Sequence, residues 1–484
     1  METAFVRSNM LQPEPPPLKE QGAVKWLREN LFSGWLNSIL TILGVLAIFW
    51  LIKASLPWLM HSVWNANSLT ECRQVITSTW GPDATGACWA IIRERWHQFL
   101  FGFYPQDIYW RPVMSFFLLF AAITPVLFFG NRRTMLRVLG GMAVLMIISL
   151  LLLTGAKGQV TALQILFAVV VSAILLAAAY FKPSYLLWFT ALYPPMTFWF
   201  LWGGSVWGPV MVIAGAGIMV LAFRALVPRF GAPIAGGIAF VVACIWWLKV
   251  QTYFSTAIDN VLPWSLTPVD SDQFGGFLLA FTIGVTAIIG SLPIGIILAL
   301  GRKSDMPLVK WLSVGDIEFV RGVPLITMLF TASLLLQYFL PPQVKFDLSL
   351  RVIILVTLFS SAYIAEVIRG GLAALPRGQY EAADALGLDY WQAQRLIIMP
   401  QALKISIPGI VSSFIGLFKD TTLVAFVGLA DPLGGIVKIV RADINWKGVY
   451  WEPYIFVGAI FFIFCFSMSR YSMYLERKLK RDHR

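Results

Sequence analysis

Few side chains in this sequence are placed to do chemistry, and those few stand in apolar surroundings. Glu318 and Arg321 lie near the start of one apolar run, and Glu366 and Arg369 near the end of another. Lys419 and Asp420 sit well inside a third. An unpaired charge at the centre of a bilayer costs about 2.5–3.5 kcal/mol on insertion scales, so such groups must face a bundle interior or a watery path. Glu366 and Arg369 are three apart and can share one helix face. Either they line a polar path or they pair structurally, and for Lys419 and Asp420 the same two readings stand. Redox, haem or zinc chemistry has little to work with. The three histidines (His61, His97, His483) and four cysteines (Cys72, Cys88, Cys244, Cys465) are too few and too scattered. No GxxxxGK[ST] phosphate cradle occurs, so ATP is not bound here in the usual way. Catalytic and metal-ligating residues are both read as none.

The elements that must hold these groups are membrane helices. The 484 residues are 58% hydrophobic and only 13% charged, with a mean hydropathy of +0.74. A soluble domain carries nearer a quarter charged residues. The formal charge of +12 falls in short clusters between apolar runs, without a continuous basic groove. That distribution argues for the positive-inside rule and against nucleic acid. The expected fold is an all-α polytopic membrane protein of about twelve spans.

Residues 1–30 are polar and Pro-rich and read as a flexible cytoplasmic arm. A membrane region of about seven spans is expected over 31–250. Its first run, Phe32 to Ile52, follows Lys25 and Arg28 and should cross from inside to outside. The Trp-rich loop at 57–111 would then be periplasmic, where disulfides persist. Cys72 and Cys88 in that loop are either bridged or two free thiols; Cys244 and Cys465 read as small core residues. Further spans are expected near 112–130, 138–156, 159–181, 184–202, 205–223 and 231–250. Residues 251–273 form an outer loop, and five more spans follow over 274–470. The basic stretch 471–484 is a cytoplasmic tail, so charge parity puts both termini inside.

One polar segment interrupts the last five spans. It runs from Glu366 to Lys404, about forty residues where a turn needs only a few. Tyr380–Leu386 is a good helix former. Gly387 permits a sharp turn, and Asp389 is placed to cap a second helix over Tyr390–Ile398. Pro400 is expected to end that helix and redirect the chain. Small Ala382 and Ala383 would let a partner surface approach closely. By parity the segment is cytoplasmic.

Within it stands Glu381-Ala382-Ala383, then Gly387, Ile397 and Pro400. This resembles the EAA-x3-G-x9-I-x-L-P loop of bacterial ABC-importer permeases, with Met399 in place of Leu. FVRGVPLITMLF (Phe319–Phe330), SAYIAEVIRGGL (Ser361–Leu372) and GLFKDTTLV (Gly416–Val424) are similar to polar amino-acid permeases. The nearest resemblance is to the M-type permease subunit of general L-amino-acid importers, including the glutamate/glutamine/aspartate/asparagine type. It implies a five-helix type I ABC importer (MetI-like) domain over 274–470. It also implies that loop 376–403 is the coupling surface for a separate ATPase, through Glu381, Ala382, Ala383, Gly387, Ile397 and Pro400. The implied partners are an ATPase dimer that carries ATP and Mg, a sister permease, a periplasmic amino-acid-binding protein and membrane lipid. No cofactor belongs to this chain, and the implied location is the bacterial inner membrane. Glu366, Arg369, Lys419 and Asp420 would then meet the ammonium and carboxylate of an amino acid, or pair structurally. A stand-alone transporter usually shows repeated halves, and seven spans plus five show none. A membrane enzyme would need clustered polar groups at depth, and the spans hold no His.

Overall fold

The computed structural model describes residues 22–128, 130–157, 160–339 and 347–481. Most of the polar arm lies outside the described residues. The chain divides into two compact units, 1–93 and 94–484.

In the first unit, α1 (Gly22–Asn30) precedes α2 (Trp35–Met60). No residue of α2 is buried, as expected of a helix whose surroundings are lipid. The disulfide loop folds on itself. Ser68 caps α3 (Leu69–Trp80) by accepting from the Glu71 N–H, and Trp64 stacks on Trp89 at 5.6 Å. Cys72 of α3 is joined to Cys88, with 6.0 Å between their Cα atoms. Both cysteines are buried. A bridge closing a loop of about 15 residues stabilises by roughly 3 kcal/mol. Cys72→Ala with Cys88→Ala is therefore expected to make residues 61–93 the first site of limited proteolysis, in the intact chain and without loss of membrane insertion.

The unit boundary falls within α4 (Ala90–Phe101). The second unit continues through α5 (Trp110–Leu127), α6 (Arg132–Lys157), α7 (Ala162–Phe181) and α8 (Tyr185–Trp202). Polar staples join α5 to α8: the Tyr193 hydroxyl donates to the Ser115 carbonyl at 2.7 Å and the Thr190 hydroxyl to the Ala122 carbonyl at 2.6 Å. In lipid, packing and such hydrogen bonds replace the hydrophobic drive between helices. Gly203 and Gly204, both at positive φ, turn the chain into α9 (Trp207–Ile245), which breaks at Gly231. A short ribbon pairs β1 (Gly204–Ser205) with β2 (Ser265–Leu266). Between them, α10 (Gln251–Val261) extends the preceding span, so the expected loop at 251–273 begins only at Leu262, where Pro263 follows.

The last half is built on α11 (Gly276–Arg302), α12 (Pro307–Gly322), α13 (Leu325–Phe330) with α14 (Leu336–Phe339), and α15 (Leu348–Ala373). It closes with α16 (Gly378–Ala385), α17 (Tyr390–Ala393), α18 (Met399–Asp420), α19 (Pro432–Ala442) and α20 (Trp451–Arg481). Ala280, Gly284, Ala287, Ser291, Gly295 and Ala299 form a buried stripe along α11, which packs along α15. Small residues at this spacing let two backbones approach. Between α12 and α13 the chain bends by 103°. Pro324 supplies the reason: Val323 before it is extended (φ −106°, ψ 131°), the conformation a following proline imposes.

Among the described residues, ten helices are long and apolar enough to cross a membrane, or eleven with the bent pair as one span. The expected count was about twelve. The difference lies at α8, which is a helix of 18 residues but is diluted in hydropathy by Tyr, Trp, Pro194 and Pro195.

Candidate functional site

The polar segment lies at one end of the second unit's bundle, where α11 and α15 finish and α18 begins. Here α15 stops before Pro376, and α16 begins at Gly378. Helix α16 ends in a Schellman motif. The Gly387 N–H reaches the Asp384 carbonyl at 2.9 Å and the Leu388 N–H the Ala383 carbonyl at 3.2 Å, with Gly387 left-handed at φ +67°. Asp389 then accepts from the Gln392 N–H at 2.8 Å, and the Gln392 side chain accepts from the Asp389 N–H. That is a capping box.

The second expected helix does not end at Pro400. From α17 the chain passes through a π turn over Gln394–Ile398 directly into α18, with Pro400 in its first turn. Tyr390–Val427 is one span of 38 residues. A proline in mid-helix clashes with the carbonyl four residues back, and a π turn widens the helix where that clash would fall. The segment is therefore one free-standing helix, α16, followed by the overhanging end of a membrane span.

Two faces separate. Ala383, Ala393, Gln394 and Ile398 are buried. Ile397 packs on a cluster that includes Leu372, Ile398 and Ala402. Glu381, Ala382 and Gly387 are exposed. So Ala383 owes its small size to its own bundle, whereas Ala382 stays available to a partner. Sequence reasoning missed the apolar part of the open face, where Leu386 and Trp391 are 72% and 70% exposed. Two polar staples hold α16. The Lys303 ammonium donates to the Tyr380 hydroxyl at 2.9 Å and lies over its ring, and Gln401 donates to the Gln379 side chain at 2.9 Å.

Next to that staple is a knot of five charges. The Glu366 carboxylate is held by Arg302 at 2.7 Å, Arg369 at 3.0 Å and Arg321 at 3.8 Å. Arg302 also reaches Glu318 at 2.9 Å. The Glu366 side chain is only 15% exposed, while those of Arg369 and Glu318 are about half exposed, at 47% and 54%. Glu366 is thus the largely shielded hub of an ion network that joins α11, α12 and α15. The i, i+3 pairing was legible in the sequence; the central role of Arg302 was not.

Lys419 and Asp420 lie elsewhere. Ser406 of α18 donates to the Val367 carbonyl at 3.2 Å, so Glu366 is level with Ser406. Thirteen residues of helix, roughly 20 Å, separate Ser406 from Lys419. The four residues do not form one site. Among the described residues, neither Lys419 nor Asp420 has a side-chain hydrogen bond or ion pair to another group.

At the opposite end of the bundle, backbones come close. The Gly276 N–H donates to the Ala430 carbonyl at 2.7 Å, and a Cβ on Gly102 would fall onto the Gly275 backbone. Arg95 pairs with Asp443, tying α4 to the end of α19. Arg111, 2% exposed, donates to the Thr267 carbonyl at 2.7 Å. Asp431 is wholly buried and caps α19, accepting from Leu433 and Gly434. Burial pushes its carboxyl up from 3.8 to about 6, against those amide donors. The folded state therefore holds the proton more tightly than the unfolded chain. Asp431 adds stability as pH falls from about 6 to 4 and loses it as pH rises through 6, with a ceiling of about 3 kcal/mol. Asp431→Asn, which keeps a capping side chain, is expected to flatten the dependence of Tm on pH across that window.

The family described as binding-protein-dependent transport system inner membrane component matches residues 291–481. A glutamate/glutamine/aspartate/asparagine transport system permease protein of Rhodobacter capsulatus is 63% identical, over all of both chains. An inner membrane amino-acid ABC transporter permease protein of Escherichia coli is 36% identical over 96% of this chain and 95% of its own. A crystal structure of an amino acid ABC transporter with histidines is 30% identical, covers 42% of this chain and 91% of its own, and has a TM-score of 0.37.

Proposed function

We propose a division of labour within this chain, which belongs to the binding-protein-dependent transport inner membrane components and is the permease of an amino-acid ABC importer. Helices α11 to α20 form the translocation unit, and the exposed face of α16 receives a separate ATPase that carries ATP and Mg. One observation carries the docking reading. A short helix projects from the end of the bundle, with apolar Leu386 at its C-cap and Trp391 of the adjoining α17 uncovered, yet the helix is stapled to α11 through Lys303 and to α18 through Gln401. A helix that transmits a push needs both an open face and stiff roots. The coupling set is Glu381, Ala382 and Gly387 on the open side, with Ala383, Ile397 and Pro400 fixing the helix to the bundle. The chain itself acts without catalysis, and hydrolysis belongs to the partner.

The basic clusters support placing α16 and both termini in the cytoplasm of a bacterial inner membrane. The bundle end that carries α19 and Asp443 would then face a periplasmic amino-acid-binding protein. The relatives support an amino-acid cargo, and the full-length relative supports acidic amino acids and their amides. Resemblance to M-type subunits supports pairing with a sister permease. Lys419 and Asp420 lie outside the Glu366 ion network and, among the described residues, lack a side-chain hydrogen bond, so they are better placed than Glu366 and Arg369 to meet a zwitterion.

Gly387→Val tests the docking reading. A β-branched residue at φ +67° is strained by about 1–2 kcal/mol or more, while a Cβ there meets no neighbouring atom. The expected result is normal insertion and yield with loss of ATPase co-purification and of uptake. Normal association and uptake would remove α16 as the docking helix.

A further inference from the structure

A cavity of about 1070 Å³ lies in the second unit between α5 and α8 on one side and α11 and α20 on the other. We propose that it holds one membrane phospholipid with an ammonium headgroup, as a built-in filler between the N-terminal spans and the translocation unit. Three observations converge on that occupant.

The first is depth. Asp270, Asp347 and Trp202 edge the cavity at the α19 end of the bundle, and Gly290 lines its floor. Gly290 is fourteen residues into the 27-residue α11, close to mid-span. The cavity is thus one leaflet deep. A folded peptide segment would bring backbone groups that apolar walls cannot satisfy, and acyl chains bring none.

The second is wall chemistry. Phe116, Phe198, Phe281 and Phe464 line the walls, matching hydrocarbon. Within them the Ser115 hydroxyl is buried without a hydrogen-bond partner. It lies five residues into α5, about 7 Å below the helix start, at a depth suited to an ester carbonyl rather than an acyl tail.

The third is charge. The lining includes two carboxylates, Asp270 and Asp347, and no Lys, Arg or His. That rim complements an ammonium group and repels an anionic headgroup. It equally disfavours an anionic solute, and it contains neither Glu366 and Arg369 nor Lys419 and Asp420. Trp202 at the rim suits the aromatic belt of the interface.

The test uses the full chain in nanodiscs of equimolar phosphatidylethanolamine and phosphatidylglycerol, released into mild detergent for native mass spectrometry. The unaltered chain is expected to retain one phosphatidylethanolamine, favoured at least about five-fold over phosphatidylglycerol, the scale of one near-surface charge interaction. Asp270→Asn with Asp347→Asn should bring that ratio close to one while keeping the α15 cap, since Asn also caps. Thr286→Trp, at an exposed position on the cavity wall, should empty the site with the chain still monodisperse. Absence of retained lipid, equal retention of both headgroups by the unaltered chain, or unchanged occupancy in Thr286→Trp would each overturn the proposal. So would a cross-link from Thr286→Cys to a second protein chain in place of lipid.

Discussion

Leu386→Asp is expected to abolish stable association with the ATPase while leaving the permease folded and inserted. Leu386 is 72% exposed and directly precedes Gly387, so no buried contact of the chain itself depends on it. A charge placed in an apolar docking surface should cost at least about 2 kcal/mol, or thirty-fold in affinity. Binding of the purified ATPase to the purified permease measures this directly, with elution profile and thermal midpoint as controls for folding. Trp391→Asp should act in the same direction, because Trp391 is exposed on the same segment. A Leu386→Asp permease that binds the ATPase as tightly as the unaltered chain would mean that the open face of α16 is solvated rather than docked.

Glu366→Gln is expected to destabilise the α16 end of the bundle. It leaves Arg302, Arg321 and Arg369 around a neutral amide, with only Glu318 to offset three guanidinium charges. Removing one partner of a fully buried pair costs about 3–5 kcal/mol. Water reaches the arginines here, so about 2 kcal/mol is the better figure. A lowered thermal midpoint is the readout, and Arg369→Gln alone should cost less because its side chain is about half exposed. Glu366→Gln combined with Arg369→Gln should recover part of the loss by removing the surplus charge. If uptake disappears in Glu366→Gln with no change in thermal midpoint, Glu366 serves the substrate path and its pairing is incidental.

Much of the site was legible because its signals are local. A left-handed glycine after a helix, an Asp-x-x-Gln capping box and a proline that bends the chain all act within four or five residues. The apolar spans are also local signals, although each is read over about twenty residues. Pro400 shows the limit of such reading: the residue forbids a regular helix, and either a stop or a widened turn satisfies it. The π turn over Gln394–Ile398 joins α17 to the span, and packing of Ile397 and Ile398 on the α15 end accompanies it.

The sequence by itself determined that this is a membrane protein, where most of its apolar helices lie, and which loop carries the EAA-like pattern. Hydropathy, capping and backbone preference decide those points over short windows. Only the tertiary structure decided which charged residues pair around Glu366. Arg302 meets Glu366 across 64 positions and Lys303 meets Tyr380 across 77, and no local rule selects those partners among the other basic residues. It also decided that Ala383 faces the bundle while Ala382 faces outward, because the rotation of α16 is set by two staples from distant helices. The EAA-like pattern thus picks out the segment, and long-range packing decides which side of it remains open.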